Sequence, residues 1–339
     1  VAINIRLRDA LEQDLIVPFH YFGITDAKGV DYSEIKMTDI TEIARILQTN
    51  KRVEHVIEKM NFYGHEGDKR RGIGFCVSIA HAKFMTEEFN SRGIVSTYLT
   101  GKDKQNLRKE TIMRLESNSN SLEMIFTVDI FNEGIDIPSV NTILMLRPTQ
   151  SPIIFIQQLG RGLRKHESKS FVTILDFIGN YSKSFMLAIA LNGRKYIDKD
   201  SLKVAIKNDF ANLPGCTHIQ LDKISKQQIL NQIENENFNS FLYCKEEYLT
   251  FKLEIDNRIP SILDFFSIDG APDPMNFLNY NYKSFLDFQK KVEGDNFPHN
   301  EFYKSDFALK LLRMIEDFIP VKRLVDFLAF KLIVTKGDF

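Results

Sequence analysis

The sequence has no tryptophan, only three cysteines among 339 residues, and no surplus of either charge. Each shortage excludes something. Cys76, Cys216 and Cys244 are odd in number and widely spaced, with no C-x-x-C, so neither a disulfide scaffold nor a zinc knuckle is indicated. Reduced thiols and a cytoplasmic location are the expectation. The seven histidines form no H-E-x-x-H, and Cys216 with His218 is read as an ordinary pair, so no metal site is expected. No run of about 18 apolar residues exists to cross a bilayer. Arg6, Arg8, Asp9 and Glu12 interrupt the first fifteen residues where a signal peptide would be apolar, and no membrane partner is expected. With 44 Lys and Arg against 45 Asp and Glu, the net charge of -1 gives no global field for a polyanion. Any nucleic acid must meet a local patch.

What is present is ordinary globular material: 43% hydrophobic and 26% charged residues, with an unusual 28 Phe. At roughly 100–200 residues per domain the length predicts two folded units. The first residue is Val1 rather than Met, from which the chain is expected to be part of something longer.

From Gly72 to Gly179 apolar and amphipathic runs alternate. Short segments rich in β-branched and aromatic residues, 73–77, 95–99, 124–128, 142–146 and 171–175, predict strands. Helical spacing predicts helices over 81–92, 107–115 and 153–163. Repeated strand, helix, strand predicts an α/β fold, a parallel sheet with helices on both faces and its ligands at the carboxyl ends of the strands. Ahead of it, residues 1–26 read as two short extended pieces around Asp9-Ala10-Leu11-Glu12, followed by helical patterns over 38–61. Beyond Asn180 strand signals fade and helical periodicity appears at 226–236, 282–292 and 306–318, which predicts an α-rich second unit.

Two segments carry chemistry. In 126–138, a strand runs into a turn bearing Thr127, Asp129, Glu133, Gly134 and Asp136 before Pro138 stops the element. Such a turn can hold a phosphate on its N–H groups and on Thr127, with Gly134 allowing close approach and Asp136 accepting from a hydroxyl. Taken alone it reads equally as a capped turn. In Gln157-Gln158-Leu159-Gly160-Arg161-Gly162-Leu163-Arg164, two arginines three apart share a helix face. Paired guanidiniums match polyphosphate oxygens, and an arginine offered to a γ-phosphate in the transition state is worth about 10³–10⁵ in rate. Plain surface is the commoner meaning of such a pair. Glycines on both sides of Arg161, each costing a helix about 1 kcal/mol, argue otherwise.

These residues resemble the superfamily 2 helicases, and most closely the bacterial DEAD/DEAH-box-type proteins related to type III restriction helicase subunits. Gln157-x-x-Gly160-Arg161-x-x-Arg164 matches their sixth motif and 127–138 the fifth. Gly74-Phe75-Cys76-Val77-Ser78, with Ala80-His81-Ala82 behind it, looks like the fourth. The phrases around Pro18-Phe19-His20-Tyr21, Arg147-Pro148-Thr149 and Leu175-Asp176-Phe177 are similar too, and the likeness runs over 6–181. It implies a RecA-like fold, in which residues 1–60 are the trailing segment of a first RecA-like domain and a connector, 61–190 the second RecA-like domain and 191–339 an α-rich accessory domain. By the same resemblance Arg161 and Arg164 would face ATP phosphates, Arg164 as the γ-phosphate finger, with Gln157 orienting their helix. Gly134, Asp136 and Gly160 would line the nucleotide side, and Ser78, Thr100 and Thr127 would meet the nucleic-acid backbone.

One departure from the family is decisive. The sequence contains no G-x-x-x-x-G-K-[ST] and no D-E-x-[DH] box. ATP and Mg²⁺ are therefore expected in a parent protein whose first RecA-like domain is the missing partner, and neither is expected to bind stably to this chain alone. DNA, more than RNA, is the expected polymer, and a nuclease domain is a further partner the resemblance allows. The alternative is a nucleic-acid-binding or protein-interaction module without motor activity. Aromatics of the tail such as Phe265, Phe277, Phe285 and Phe288 could stack bases, but few basic residues accompany them and core packing is the better reading.

Overall fold

A computed structural model describes residues 7–128, 137–148, 151–181, 184–192, 199–215, 217–237, 240–268, 271–277, 284–299 and 305–317. The chain divides into two compact units, Val1–Glu236 and Asn237–Phe339.

The first unit is built on seven parallel strands: β1 Phe19–Thr25, β2 Gly72–Phe75, β3 Ser96–Leu99, β4 Met124–Thr127, β5 Thr142–Met145, β6 Val172–Ile178 and β7 His218–Leu221. Their spatial order is β3-β4-β2-β5-β6-β1-β7. The five strands predicted from apolar runs are all present, each within a few residues of its expected bounds. Burial on both faces explains why they read as continuous apolar runs: every residue of β2, β4, β5 and β6 is buried.

Alternate side chains meet different helices. Leu144, Leu146, Leu175, Phe177 and Ile24 form one core with Val53, Val56 and Met60 of α3 (Asn50–Tyr63) and Met85 and Phe89 of α4 (Ile79–Ser91). On the other face Tyr21 touches Phe155 of α6 (Pro152–Gly162), ring centroids 6.0 Å apart, and Ile143 lies against Gly162. The remaining helices of the unit are α1 Leu7–Glu12, α2 Ile40–Leu47, α5 Gln105–Glu116, α7 Met186–Asn192, α8 Lys199–Lys207 and α9 Lys223–Asn235.

The ends of this unit differ from the sequence reading. Residues 7–12, around which two extended pieces were expected, form a helix, and the second of those pieces is β1. β1, assigned above to the trailing segment of a first RecA-like domain and a connector, pairs with β6 along its whole length and with β7 on its other side, inside the sheet. β7 belongs to a stretch assigned to the α-rich domain. Asp222 fixes that added edge, accepting from the Thr25 N–H at 2.7 Å and the Thr25 hydroxyl at 2.6 Å while capping α9. The division between compact units accordingly falls at 236 rather than 190.

The second unit is helical in its described residues: α10 Phe241–Glu254, α11 Ile262–Ser267, α12 Phe285–Glu293 and α13 Asp306–Asp317. Phe265, Phe277, Phe285 and Phe288 are buried and linked by ring contacts through Phe265 and Phe277, as the core reading expects. Half-buried Glu293 of α12 accepts from Tyr248 and Lys252 of α10 at 2.9 and 2.6 Å.

Candidate functional site

Parallel strands deliver their carboxyl ends to one edge of the sheet, and three of the candidate residues meet there. β3, β4 and β2 are neighbours, and Thr127 lies in register between Leu99 and Phe75. Thr100 follows β3, and Ser78 follows β2 by three residues. At about 4.8 Å per strand, the hydroxyl-bearing positions span roughly 10 Å. Ser78 has a structural duty, since its Oγ caps α4 by accepting from the His81 N–H at 3.2 Å. The Thr100 N–H donates to Asp103 Oδ2, which ties down the turn after β3. Thr127 is fully buried, and its hydroxyl has no hydrogen-bond partner among the described residues. Gly134 and Asp136 lie outside the described residues.

Behind this edge sits a buried polar layer that sequence reasoning missed. Arg52 of α3 donates Nε to Asp26, just past β1, at 2.9 Å, and Nη2 to the Leu146 carbonyl, just past β5, at 3.2 Å. One guanidinium therefore holds a helix against two strand ends. Burial opposes its charge, but Asp26 and the nearby Tyr32 raise its pKa further. Fully buried His81 is pushed well below the usual range, first by burial and then by the Arg52 charge, so it is neutral. Burial also pushes the Cys76 thiol up. On the opposite face, Asp176 accepts from the Tyr21 hydroxyl at 2.8 Å, and burial raises its pKa to about 7.

The arginine segment lies elsewhere. α6 starts at the Ser151 cap with Pro152 in its first turn and runs back along the sheet for 11 residues, about 16 Å. Its last turn therefore reaches the amino edge, beside Val140 and the start of β5. The expectation that both motifs gather at the carboxyl ends is corrected here. A helix joining parallel strands must return to the starting edge; Arg161 stands in its last turn, and Arg164 lies past the Leu163 cap rather than on the same helix face.

Gln157, Gly160 and Arg164 are exposed and Arg161 half-buried, while Phe155, Gln158, Leu159 and Gly162 face the sheet. Arg147, just past β5, reaches Gln158 with the amide oxygen turned toward the guanidinium, at 2.6 Å. The two glycines differ. A Cβ on Gly162 would come within 2.7 Å of Ile143 Cδ1, whereas one on Gly160 would meet nothing within 4 Å. Close packing explains Gly162 and leaves Gly160 without a structural reason. Beyond the helix, the Val17 N–H donates to the Leu163 carbonyl at 2.8 Å. The Lys169 ammonium donates to the carbonyls of Val140 at 2.8 Å and Gly162 at 2.5 Å.

Among the described residues no group of three His, Cys, Asp or Glu is placed to hold a metal ion, and no helix is long and apolar enough to cross a membrane. Cys216 lies outside the described residues.

Residues 51–166 match the helicase conserved C-terminal domain. IRC3 of Saccharomyces cerevisiae, which bears the name of an ATP-dependent helicase, is 32% identical over 206 residues, 60% of this chain and 29% of its own length. A type I restriction enzyme EcoKI endonuclease subunit of Escherichia coli is 30% identical over 139 residues, 37% of this chain and 12% of its own. A solved structure of the ATP-dependent Type ISP restriction-modification enzyme LlaBIII bound to DNA aligns with 84% of this chain and 22% of its own, at 16% identity and a TM-score of 0.44. The chain thus spans under a third of these relatives. It carries a C-terminal helicase domain of the superfamily 2 type.

Proposed function

We propose that this chain is the C-terminal part of an ATP-dependent helicase or translocase acting on nucleic acid, inactive by itself. The observation that carries this reading is the end of α6. Arg161 is half-buried in its last turn and Arg164 is exposed two residues beyond it, in a segment that matches a helicase domain. Two guanidiniums so close together suit the oxygens of a phosphate held by another domain. ATP and Mg²⁺ would be held by a phosphate loop and acidic box that these 339 residues do not contain. Bound there, the nucleotide supplies the free energy for movement.

This chain's own residues then have separate tasks. Arg164 stabilises charge developing on the γ-phosphate, Arg161 binds the neighbouring phosphates, and Gln157 orients the helix. Gly160, Gly134 and Asp136 line the nucleotide side, with Gly160 leaving space for close approach. Ser78, Thr100 and Thr127 contact the backbone of a single strand, DNA in preference to RNA, at the other edge of the sheet. Such contacts position a strand without reading its sequence. A first RecA-like domain, and a nuclease domain as in restriction enzymes, are the partners this reading expects.

The test uses two proteins. The purified chain, given ATP, Mg²⁺ and single-stranded DNA, should show no stimulated ATP hydrolysis. In the full-length protein Arg164→Ala should lower hydrolysis by about 10³-fold or more while single-strand affinity is kept. Turnover by the chain alone, or equal loss of both properties in the variant, would overturn the reading.

A further inference from the structure

Lys169 is an odd residue for its surroundings. It closes the short turn between α6 and β6, in a stretch where 164–168 are all exposed, yet it is itself only 6% exposed. A lysine there would ordinarily extend into water. Instead its ammonium turns inward onto two backbone carbonyls, Gly162 at the end of α6 and Val140 ahead of β5. Burying a charge is costly unless it is held by good acceptors, and charge-assisted bonds to carbonyls meet that condition. A cation at the carboxyl end of a helix is also favoured by the helix dipole.

The place of these bonds matters more than their number. Gly162 directly follows Arg161, and Arg164 comes two residues later. The next carbonyl, Leu163, is taken by the Val17 N–H at 2.8 Å. Both carbonyls between the two arginines are therefore fixed by donors from outside the helix. The Val140 carbonyl lies just ahead of β5. Lys169 consequently ties the approach to β5 to the end of α6, and Gly162 packs against Val140 and Ile143 at the same spot.

We propose that Lys169 is the positioning residue for the arginine pair: its ammonium fixes the end of α6, and with it the backbone that runs from Arg161 in the last turn to Arg164 just past the helix. This inference rests on the reading of those arginines as phosphate-facing. An error of about 1 Å in the placement of such a group can cost roughly 10²-fold in rate.

The experiment compares Lys169→Met, Lys169→Arg and Arg164→Ala in the full-length protein, well below the unfolding temperature. Lys169→Met should lower kcat for strand-stimulated ATP hydrolysis by roughly 10²-fold, with KM for ATP and single-strand affinity within about threefold of wild type. Lys169→Arg, which keeps the charge and the donors, should restore most of the rate. A folded Lys169→Met with wild-type kcat, or one whose KM rises and strand affinity falls along with kcat without rescue by arginine, overturns the proposal. If Lys169→Met does not fold, Lys169→Gln is judged by the same outcomes. Should Arg164→Ala keep its activity, the arginine reading itself has failed. Loss in Arg164→Ala beside full activity in Lys169→Met condemns Lys169 alone.

Discussion

Arg52 and Asp26 face each other at 2.9 Å with side chains only 1% and 2% exposed, so each is the condition for the other's burial. Removing one partner strands a buried charge. Arg52→Met should cost about 3–5 kcal/mol in the denaturant-unfolding free energy of the first unit. The double variant with Asp26→Asn should recover part of that loss, and 1 M salt should scarcely alter the wild-type contribution because water does not reach the pair. Additive losses in the two variants would show that the residues do not act on each other.

Asp176 gives a pH signature of the opposite kind. Its ordinary value of 3.8 is raised to about 7 in the fold by burial. Between those limits the folded state holds a proton that the unfolded state has released. Stability should therefore be fully present below about pH 4 and decline as the pH rises toward 7. Asp176→Asn keeps an acceptor for the Tyr21 hydroxyl without the charge. Thermal unfolding of that variant should lack the decline, and an unchanged pH profile would refute the assignment.

The two glycines beside Arg161 should separate under substitution. Gly162→Ala forces a methyl against Ile143 and should destabilise by about 1–3 kcal/mol. Gly160→Ala enters open space and should stabilise α6 by up to about 1 kcal/mol. If Gly160 lies against nucleotide, the same change lowers ATP hydrolysis by the full-length protein. Measuring melting temperature and turnover together distinguishes the two positions, and wild-type turnover in Gly160→Ala would remove it from the site.

Thr127→Val replaces a buried hydroxyl by a methyl of similar shape. Because that hydroxyl is unpartnered within the described fold, the change should be neutral or stabilising by about 1 kcal/mol. Single-strand affinity should nevertheless fall. Unchanged affinity would leave Thr127 with no part in strand binding.

Much of the sheet could be read from the chain because strands buried on both faces are continuous apolar runs, as in 124–127 and 142–145. Strand β1 was different. Its apolar character was visible, but Tyr21 meets Asp176 155 residues downstream, and no local pattern names so distant a partner. The arginine pair was legible from its spacing, while its edge of the sheet was not, since that follows from the direction in which α6 runs. Arg52 looked like one more charge on an amphipathic helix. Lys169 looked like one more lysine in a polar turn. Nothing in sequence distinguishes such groups until the fold withdraws them from water.

The position of β1 also has a consequence in time. On the ribosome this strand emerges well before its partners, since its neighbours β6 and β7 come some 155 and 197 residues later. At 5–20 residues per second the segment waits on the order of 8 to 40 s with its backbone unpaired. During that interval it is a sticky nascent strand, and its safe keeping falls to whatever binds extended apolar peptides as they leave the exit tunnel.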